Sequence, residues 1–517
     1  MMLAKVPLSS RRLYTPLSIT TRLIHTSKMT SAPQLSNASL WQTKGFINNQ
    51  WVDSENGATF QVTDPGNGNN LGSVPEMGVA ETRRAIDAAG EAYKTFSKTT
   101  AKSRQDLLNR IFALISQNAD DLAKIVTVEN GKPLADAKGE VGYGNSFFEW
   151  FAGEAVRTYG DVVPAANPDL RNIVIKQPIG VCGILTPWNF PVAMITRKLA
   201  PAIAAGCTAV IKTPAETPYS ALAIAHLCKE AGVPAGVVNV ITTDKNVAQV
   251  GKEICENGIV KKVSFTGSTR VGKILMQQSS NTLKKLSFEL GGNAPFIVFD
   301  DADIDAAVAG ALACKFRSSG QTCVCANRIY VQSAVYAEFA SRLAEKVDQF
   351  KLGYGLDEGT THGPLIAERA LDKVQEHVDD AVKRGAEVLS GGKKLGGNYF
   401  APTVLANVPS DALVNCDETF GPLAALTKFD TEEQVVKLAN DVNVGLAGYM
   451  YSRDIGRVWR VSEALEVGMI GANAPILSQA CIPFGGQKES GFGREGGKQG
   501  IEEYQTTKLI AMGGVTV

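Results

Sequence analysis

The chain has 517 residues, 52 Lys and Arg against 52 Asp and Glu, and a hydrophobic content of 44%. That size and balance suit an ordinary soluble protein of two or three domains and give no support to nucleic-acid binding. No apolar run approaches the roughly 20 residues that span a bilayer, and nine cysteines without a secretory leader point to a reducing compartment with free thiols.

Residues 1–52 contain no Asp or Glu, while Lys5, Arg11, Arg12, Arg22 and Lys28 are spaced among Leu, Ile, Ser and Thr. This composition predicts a mitochondrial transit peptide over residues 1–28 and a matrix address, with a disordered basic tail as the plainer alternative. Translation from Met29 would omit the basic residues and give a cytosolic form.

From Gly45 the globular part begins, and Phe46 to Val52 predicts a hairpin around Asn48-Asn49. Apolar residues at helical spacing predict helices over 79–98, 101–117 and 120–129, the last ended by Asn130-Gly131-Lys132-Pro133. Their charges read as the solvated faces of a scaffold. Short β-rich runs at 181–185, 208–211, 237–241, 262–265 and 296–299 alternate with helical stretches. This predicts βαβ units, a doubly wound parallel sheet and a nucleotide at the carboxyl ends of its strands.

The run 263–265 enters Thr266-Gly267-Ser268-Thr269-Arg270-Val271-Gly272-Lys273, a glycine turn before a helix, where free backbone N–H groups suit a phosphate. The stretch nearly spells the Walker A pattern, but Ile274 stands where that motif needs the Ser or Thr that holds magnesium, so an ATPase is rejected. The literal Gly-x-Gly-x-x-Gly at Gly491 to Gly496 follows no convincing strand and is expected to be a flexible turn. From Gly291 to about Glu489 the alternation repeats as a second α/β domain, with strands near 329–331 and 446–451 and helices near 334–350 and 431–441. Runs at Val174-Ile175 and Tyr504 to Met512 are predicted as strands outside both sheets, with edges that seek a partner chain.

Three short motifs carry chemistry. Thr186-Pro187-Trp188-Asn189-Phe190-Pro191 sets one side-chain amide between aromatic and proline residues. Phe288-Glu289-Leu290-Gly291-Gly292-Asn293 sets a carboxylate between apolar neighbours ahead of a glycine pair. Ser318 to Asn327 places Cys323 and Cys325 in a small polar loop that exposes a thiol, unlike Cys182 and Cys314 in their apolar runs. A lone Cys-x-Cys, with the four His in no ligand pattern, argues against zinc, and no metal is expected. Cys323 therefore reads as a nucleophile. A non-redox thiol hydrolase or acyltransferase using Cys323 and Glu289, and a binding protein that has lost activity, remain alternatives.

Gly-Gln-x-Cys, Glu-Leu-Gly-Gly and Pro-Trp-Asn-Phe-Pro together resemble the aldehyde dehydrogenase superfamily, from about residue 45 to the C-terminus, and within it the members that oxidise succinate semialdehyde. The resemblance implies an α/β fold with a dinucleotide-binding domain over 30–157 and 179–290, a catalytic domain over 291–489, and a bridging element over 158–178 and 490–517, in a homodimer or homotetramer. It implies that Cys323 attacks an aldehyde, that the Asn189 amide and the Cys323 N–H hold the oxyanion, and that Glu289 activates water. It also implies a nicotinamide cofactor, NADP and/or NAD, held by Trp188, Lys212, Ala215, Gly267, Ser268, Gly272 and Glu418.

In many NAD-using relatives a glutamate stands three residues after that lysine. Here the position is Ala215, which removes a charge that repels a 2′-phosphate and leaves Lys212 and the Thr213 hydroxyl to meet one. NADP is thus expected to serve at least as well as NAD, although Glu216 could restore an acidic contact. Arg197 and Arg317 match positions that face the far end of the aldehyde, where two guanidiniums call for a carboxylate, and Ser478 is a third contact. The expected substrate is succinate semialdehyde, in 4-aminobutyrate degradation, with glutarate semialdehyde as the alternative. Cys325 could form a disulfide with Cys323 if the loop brings their Cα atoms within about 7 Å.

Overall fold

The computed structural model describes residues 32–514, so the transit-peptide and Met29 expectations lie outside the described residues. The hairpin is present: Gly45–Ile47 pairs antiparallel with Gln50–Val52. Asn48 and Asn49 sit at φ 54° and 60°, the left-handed pair that a tight two-residue turn needs. Helices α1 (Val79–Phe96), α2 (Ala101–Gln117) and α3 (Ala119–Asn130) follow the expected spans. The Thr100 hydroxyl starts α2 by accepting from Ser103 N at 3.1 Å, and Leu107, Leu108, Ile111 and Ile115 form its buried stripe.

The sequence reading passed over α4 (Leu134–Ala155), which carries four glycines and buries Phe147, Phe148 and Phe151. It packs on α2, α3 and α5 (Ala193–Ala205), and burial on several sides erases the one-faced pattern that would have revealed it.

Five parallel strands form the centre of an eight-stranded sheet, in the order Val238–Ile241, Thr208–Lys212, Val181–Leu185, Val260–Thr266, Lys285–Glu289. The winding reverses between Val181–Leu185 and Val260–Thr266, which opens a crevice at their carboxyl ends. Helices α6 (Pro218–Glu230), α7 (Val247–Glu256) and α8 (Thr269–Ser279) complete the crossovers. The expected strand at 296–299, observed as Ala294–Val298, belongs to the second sheet of seven strands, between Ala326–Gln332 and Ala447–Tyr451. Helix α9 (Ile304–Lys315) then leads through a tight turn, Arg317–Gly320, to Cys323.

The two outlying strands pair with each other. Leu170–Pro178 and Gln505–Gly513 run antiparallel, and Asp161–Val163 completes a third sheet.

The segment expected to be a flexible turn is part of the first sheet. Gly491–Phe492 pairs antiparallel with the end of Lys285–Glu289, with Gly491 opposite Glu289. The glycines serve close approach: Gly491 has φ 101°, and a Cβ there would run into the Phe288 carbonyl. The first sheet thereby takes in the start of the range assigned to the bridging element, and the chain that follows carries Glu495 into the interior.

Gly491→Ala is accordingly expected to cost about 2 kcal/mol or more through left-handed strain and a backbone clash. Gly139→Ala, in an exposed turn of α4 with open space around it, should instead stabilise by about 0.5–1 kcal/mol. Thermal unfolding of the two variants beside the parent checks the contrast.

Candidate active site

The three motifs meet at the switch point. The nucleophile loop is set by Ser318 and Ser319, which hold φ 50° and 53° without being glycine, a strain tolerated when the surroundings fix it. Ser318 N donates to Asp136 Oδ2 at 3.0 Å, the Ser319 hydroxyl to the Gly363 carbonyl at 2.8 Å, and Gln321 Oε1 accepts from Ile366 N at 3.0 Å. Cys323 is half-buried in the wall of a cavity of about 210 Å³ that also touches Trp188, Asn189, Gly267, Ser268 and Glu418. A Cβ on Gly292 would lie 2.6 Å from the Cys323 carbonyl, so the glycine pair after Glu289 is what lets that strand end pass beneath the loop.

Asn189 is buried, and its Nδ2 donates to the Gln321 carbonyl at 3.0 Å. An amide nitrogen has two hydrogens, so one remains for a reacting oxygen in the cavity. Burial pushes the Cys323 thiol up to about 11, with the Arg197 guanidinium pulling it down and Glu418 and Cys325 pushing it further up. Cys325 is buried and its Sγ donates to the Lys315 carbonyl at 3.5 Å; both loop thiols are free.

Glu289 is buried in a cluster of charges. It accepts from the Thr266 hydroxyl at 3.2 Å and is ion-paired with Arg197, which is also paired with Glu495. Lys198 is paired with Glu495 and donates to the Thr266 hydroxyl at 2.6 Å. Burial pushes Lys198 down to about 8, while burial acts to raise Glu495 and the Arg197 and Lys198 cations overcome it, holding that carboxyl below its usual range.

Arg197 therefore stands otherwise than expected, as an interior cation committed to two carboxylates, because all of α5 is buried. Lys198 and Glu495 were missed; the available signal was a pair of adjacent cations in an apolar helix. Arg317 is half-buried over the Phe190 ring, 5.3 Å from its centroid, and makes no ion pair among the described residues. Tyr143, also missed, packs on Phe190 and has its hydroxyl buried beside the Arg197 guanidinium, which can only donate to it, so the phenolic hydrogen has no acceptor among the described residues. With Ser478 it lines a second cleft of about 640 Å³.

The cofactor residues divide. Trp188, Gly267, Ser268 and Glu418 line the cavity, and Trp188 meets Phe420 edge-on at 5.6 Å. Glu418 accepts from Gly292 N at 3.4 Å and is pushed up to about 7 by burial. The Ser268 hydroxyl caps α8, accepting from Val271 N at 3.4 Å. Gly272 is buried inside α8, where a Cβ would strike the Leu290 side chain at 2.6 Å; it serves helix-to-sheet packing rather than capping a pyrophosphate.

Glu76 fills the turn before α7, accepting from Asp244 N, Lys245 N and Asn246 N, whereas the start of α8 beside the cavity carries the single Ser268 cap. Lys212 ends its strand buried, its ammonium pushed down by burial and drawn up by Glu216, Asp244 and Glu76. Ala215 packs against the core, and Glu216 is turned to Arg369 at 2.6 Å. Thr213, expected to offer a hydroxyl, is fully buried and its Oγ1 donates to the Thr217 carbonyl at 3.3 Å. The start of α8, Lys212 and a Glu216 turned to Arg369 fit a dinucleotide, including one with an added phosphate.

Residues 51–510 match the model of the aldehyde dehydrogenase family. The chain is 56% identical to a glutarate-semialdehyde dehydrogenase of Pseudomonas putida, over 93% of this chain and 99% of that one. It is also 56% identical to the succinate-semialdehyde dehydrogenase [NADP(+)] 1 of Schizosaccharomyces pombe, over 91% and 95%. The crystal structure of succinate-semialdehyde dehydrogenase from Burkholderia pseudomallei superposes with a TM-score of 0.92 at 52% identity, covering 93% of this chain and all of that one.

A thiol pushed up to about 11 stays protonated at neutral pH, so iodoacetamide labelling of Cys323 without cofactor should climb with pH through about pH 9 and show no plateau. Glu418→Gln should speed labelling near pH 9, where the carboxylate is charged, and change nothing near pH 5.5, where it is already neutral. Rates read on the Cys323 peptide test both; a plateau near pH 8 contradicts the first.

Proposed function

The chain belongs to the aldehyde dehydrogenase family, and from that premise we propose that it oxidises succinate semialdehyde to succinate with NADP or NAD through a thioester on Cys323. The observation that carries this reading is the pairing of a nucleophile in the wall of the dinucleotide-side cavity with an unpaired, half-buried guanidinium, Arg317, over the ring that follows Asn189.

Cys323 gives its proton to solvent water, and the thiolate Sγ attacks the aldehyde carbon as the carbonyl electron pair moves onto oxygen. The free Asn189 N–H and the Cys323 backbone N–H donate to that oxygen, each such donor contributing about 3 kcal/mol in the transition state. A nicotinamide held by Trp188, Gly267, Ser268 and Glu418 would supply the acceptor for the hydride that leaves the tetrahedral carbon as its oxygen re-forms the carbonyl, which leaves a thioester on Cys323. Glu289 then takes a proton from water at Oε1, which has no hydrogen-bond partner, and the resulting hydroxide equivalent attacks the thioester carbon and expels the Cys323 sulfur.

The far carboxylate of the substrate is received by Arg317, with the Tyr143 and Ser478 hydroxyls as further donors. Glutarate semialdehyde, one methylene longer, is the second reading, favoured by the equal identity to the Pseudomonas putida relative. A single methylene is worth only about 1–3 kcal/mol in discrimination. Arg369 holds Glu216, which supports use of NADP at least as readily as NAD. The exposed strand Gln505–Gly513 supports assembly as a homodimer or homotetramer, and the acid-free segment at 1–28 supports a mitochondrial address.

Cys323→Ala should abolish oxidation, while Glu289→Gln should give one stoichiometric burst of reduced cofactor followed by slow turnover, because the base serves hydrolysis of the thioester. Stopped-flow absorbance at the reduced-nicotinamide band reads both. Full steady-state activity in Cys323→Ala overturns the assignment.

The preference for succinate semialdehyde over butanal, measured as a ratio of kcat/KM with each cofactor, should fall about 10–100-fold in Arg317→Ala and about 3–10-fold in Tyr143→Phe. An unchanged ratio in both removes the carboxylate pocket.

A further inference from the structure

Beneath the amide motif lies a set of buried polar contacts that the steps above do not use. Asn130 Nδ2 donates to the Trp188 carbonyl at 2.9 Å. Lys132 Nζ donates to the Asn189 carbonyl at 2.7 Å, lies 2.5 Å from Glu140 Oε2, and sits 3.9 Å over the Phe190 ring. Glu140 Oε1 accepts in turn from Val192 N at 2.8 Å and Ala193 N at 3.3 Å, N–H groups that the start of α5 leaves without partners. Gly131 makes the arrangement: its φ of 89° ends α3, and a Cβ would come within 2.7 Å of Pro364 and 2.9 Å of Pro65. The chain reverses there and delivers Lys132 under the motif, so a stretch that reads in the sequence as helix punctuation has a second use.

We propose that Asn130, Lys132 and Glu140 form a clamp that positions the Asn189 side-chain amide for the oxyanion, with Asn130 and Lys132 as positioning residues. The inference rests on the reading of Asn189 as an oxyanion donor. Such a donor acts when its N–H lies about 2.7–3.1 Å from the place the oxyanion will occupy, so its backbone must not wander. Asn189 sits in a bend outside helix and strand. Pro187 and Pro191 restrict their own φ angles but leave the carbonyls of 188 and 189 free to turn. Two side-chain donors seize those two carbonyls, and one is an ammonium whose bond is strengthened by charge in a dry site.

The counter-ion adds a further link. Glu140 ties the same ammonium to the first N–H groups of α5, and α5 carries Arg197 to Glu289. One ion pair thus registers the oxyanion donor against the partner of the base. A pair that merely stabilised the packing of α4 on α5 would need no bond to the Asn189 carbonyl.

The test is a double-mutant cycle on the full-length protein, read as the rate of first-turnover cofactor reduction with saturating NADP and succinate semialdehyde. Lys132→Met should slow this step about 10–100-fold and Asn130→Ala about 3–10-fold, with NADP affinity unchanged, as misplacing a reacting group by about 1 Å does. In an Asn189→Ala background neither should slow it more than about twofold, since the group they position is gone. Equal slowing in both backgrounds overturns the clamp. An Asn189→Ala protein that reduces cofactor at the parent rate instead overturns the reading of Asn189 on which the clamp rests. If removal of the buried ammonium prevents folding, Asn130→Ala, which leaves the ion pair intact, decides by the same cycle.

Discussion

Arg197 and Lys198 carry two positive charges into the apolar interior of α5, and the site depends on the two carboxylates that meet them there. A buried unpaired charge costs several kcal/mol, so each cation demands a partner, and each partner arrives on a different segment. Glu289 comes from the end of a parallel strand and Glu495 from the stretch that follows the two-residue edge strand beside it. Thr266 bridges Lys198 to Glu289 from the adjoining strand. Helix, sheet and C-terminal edge must therefore dock in one register before the cluster is neutral, and that register holds the Glu289 carboxylate on Arg197 and Thr266 while Leu290 and Gly291, which follow it, line the cavity of Cys323.

The cations around the site differ in whether they are matched by an acid. Arg197, over the Phe484 ring, is matched by two acids, and Lys132, over the Phe190 ring, by Glu140. Arg317 lies over the Phe190 ring without an acidic partner among the described residues, and the buried Tyr143 hydroxyl, beside the donor-only guanidinium of Arg197, has no acceptor for its own hydrogen among them. Unpaired donors in a half-buried place are the residues that an incoming carboxylate would complete. On the dinucleotide side the start of α8 has one N–H capped by Ser268, while Glu76 takes three N–H groups in the turn before α7. The same economy of unpaired groups thus marks where each end of the chemistry is received.

What was legible in the sequence was local. The Asn48-Asn49 turn, the spans of α1 to α3 and the alternating parallel strands follow from interactions within a few residues, whereas the charges of Glu81, Asp121 and Glu129, expected on solvated faces, are buried because neighbouring segments cover them. The three motifs around Asn189, Glu289 and Cys323 were visible because their composition is odd for where it stands. What was not legible depended on distant chain. Gly491 looks like a loop until Phe288 is placed against it, and Gly272 looks like a phosphate glycine until Leu290 is. Arg197 was assigned by position along the chain, whereas its direction is set by which face of a fully buried helix it occupies. The Thr213 hydroxyl was turned inward by a bond four residues along its own loop, a detail of backbone path that residue type does not encode.

The central claim is that oxidation passes through an acyl group on one particular sulfur, Cys323, formed before the base is needed. The most direct measurement is peptide-mapped mass spectrometry of the Glu289→Gln protein, quenched in acid after mixing with NADP and succinate semialdehyde. A succinyl group on the peptide that contains Cys323, in an amount matching the reduced cofactor formed, is the expected result. Reduced cofactor without any acylated peptide, or with the acyl group on Cys325 or elsewhere, would contradict it.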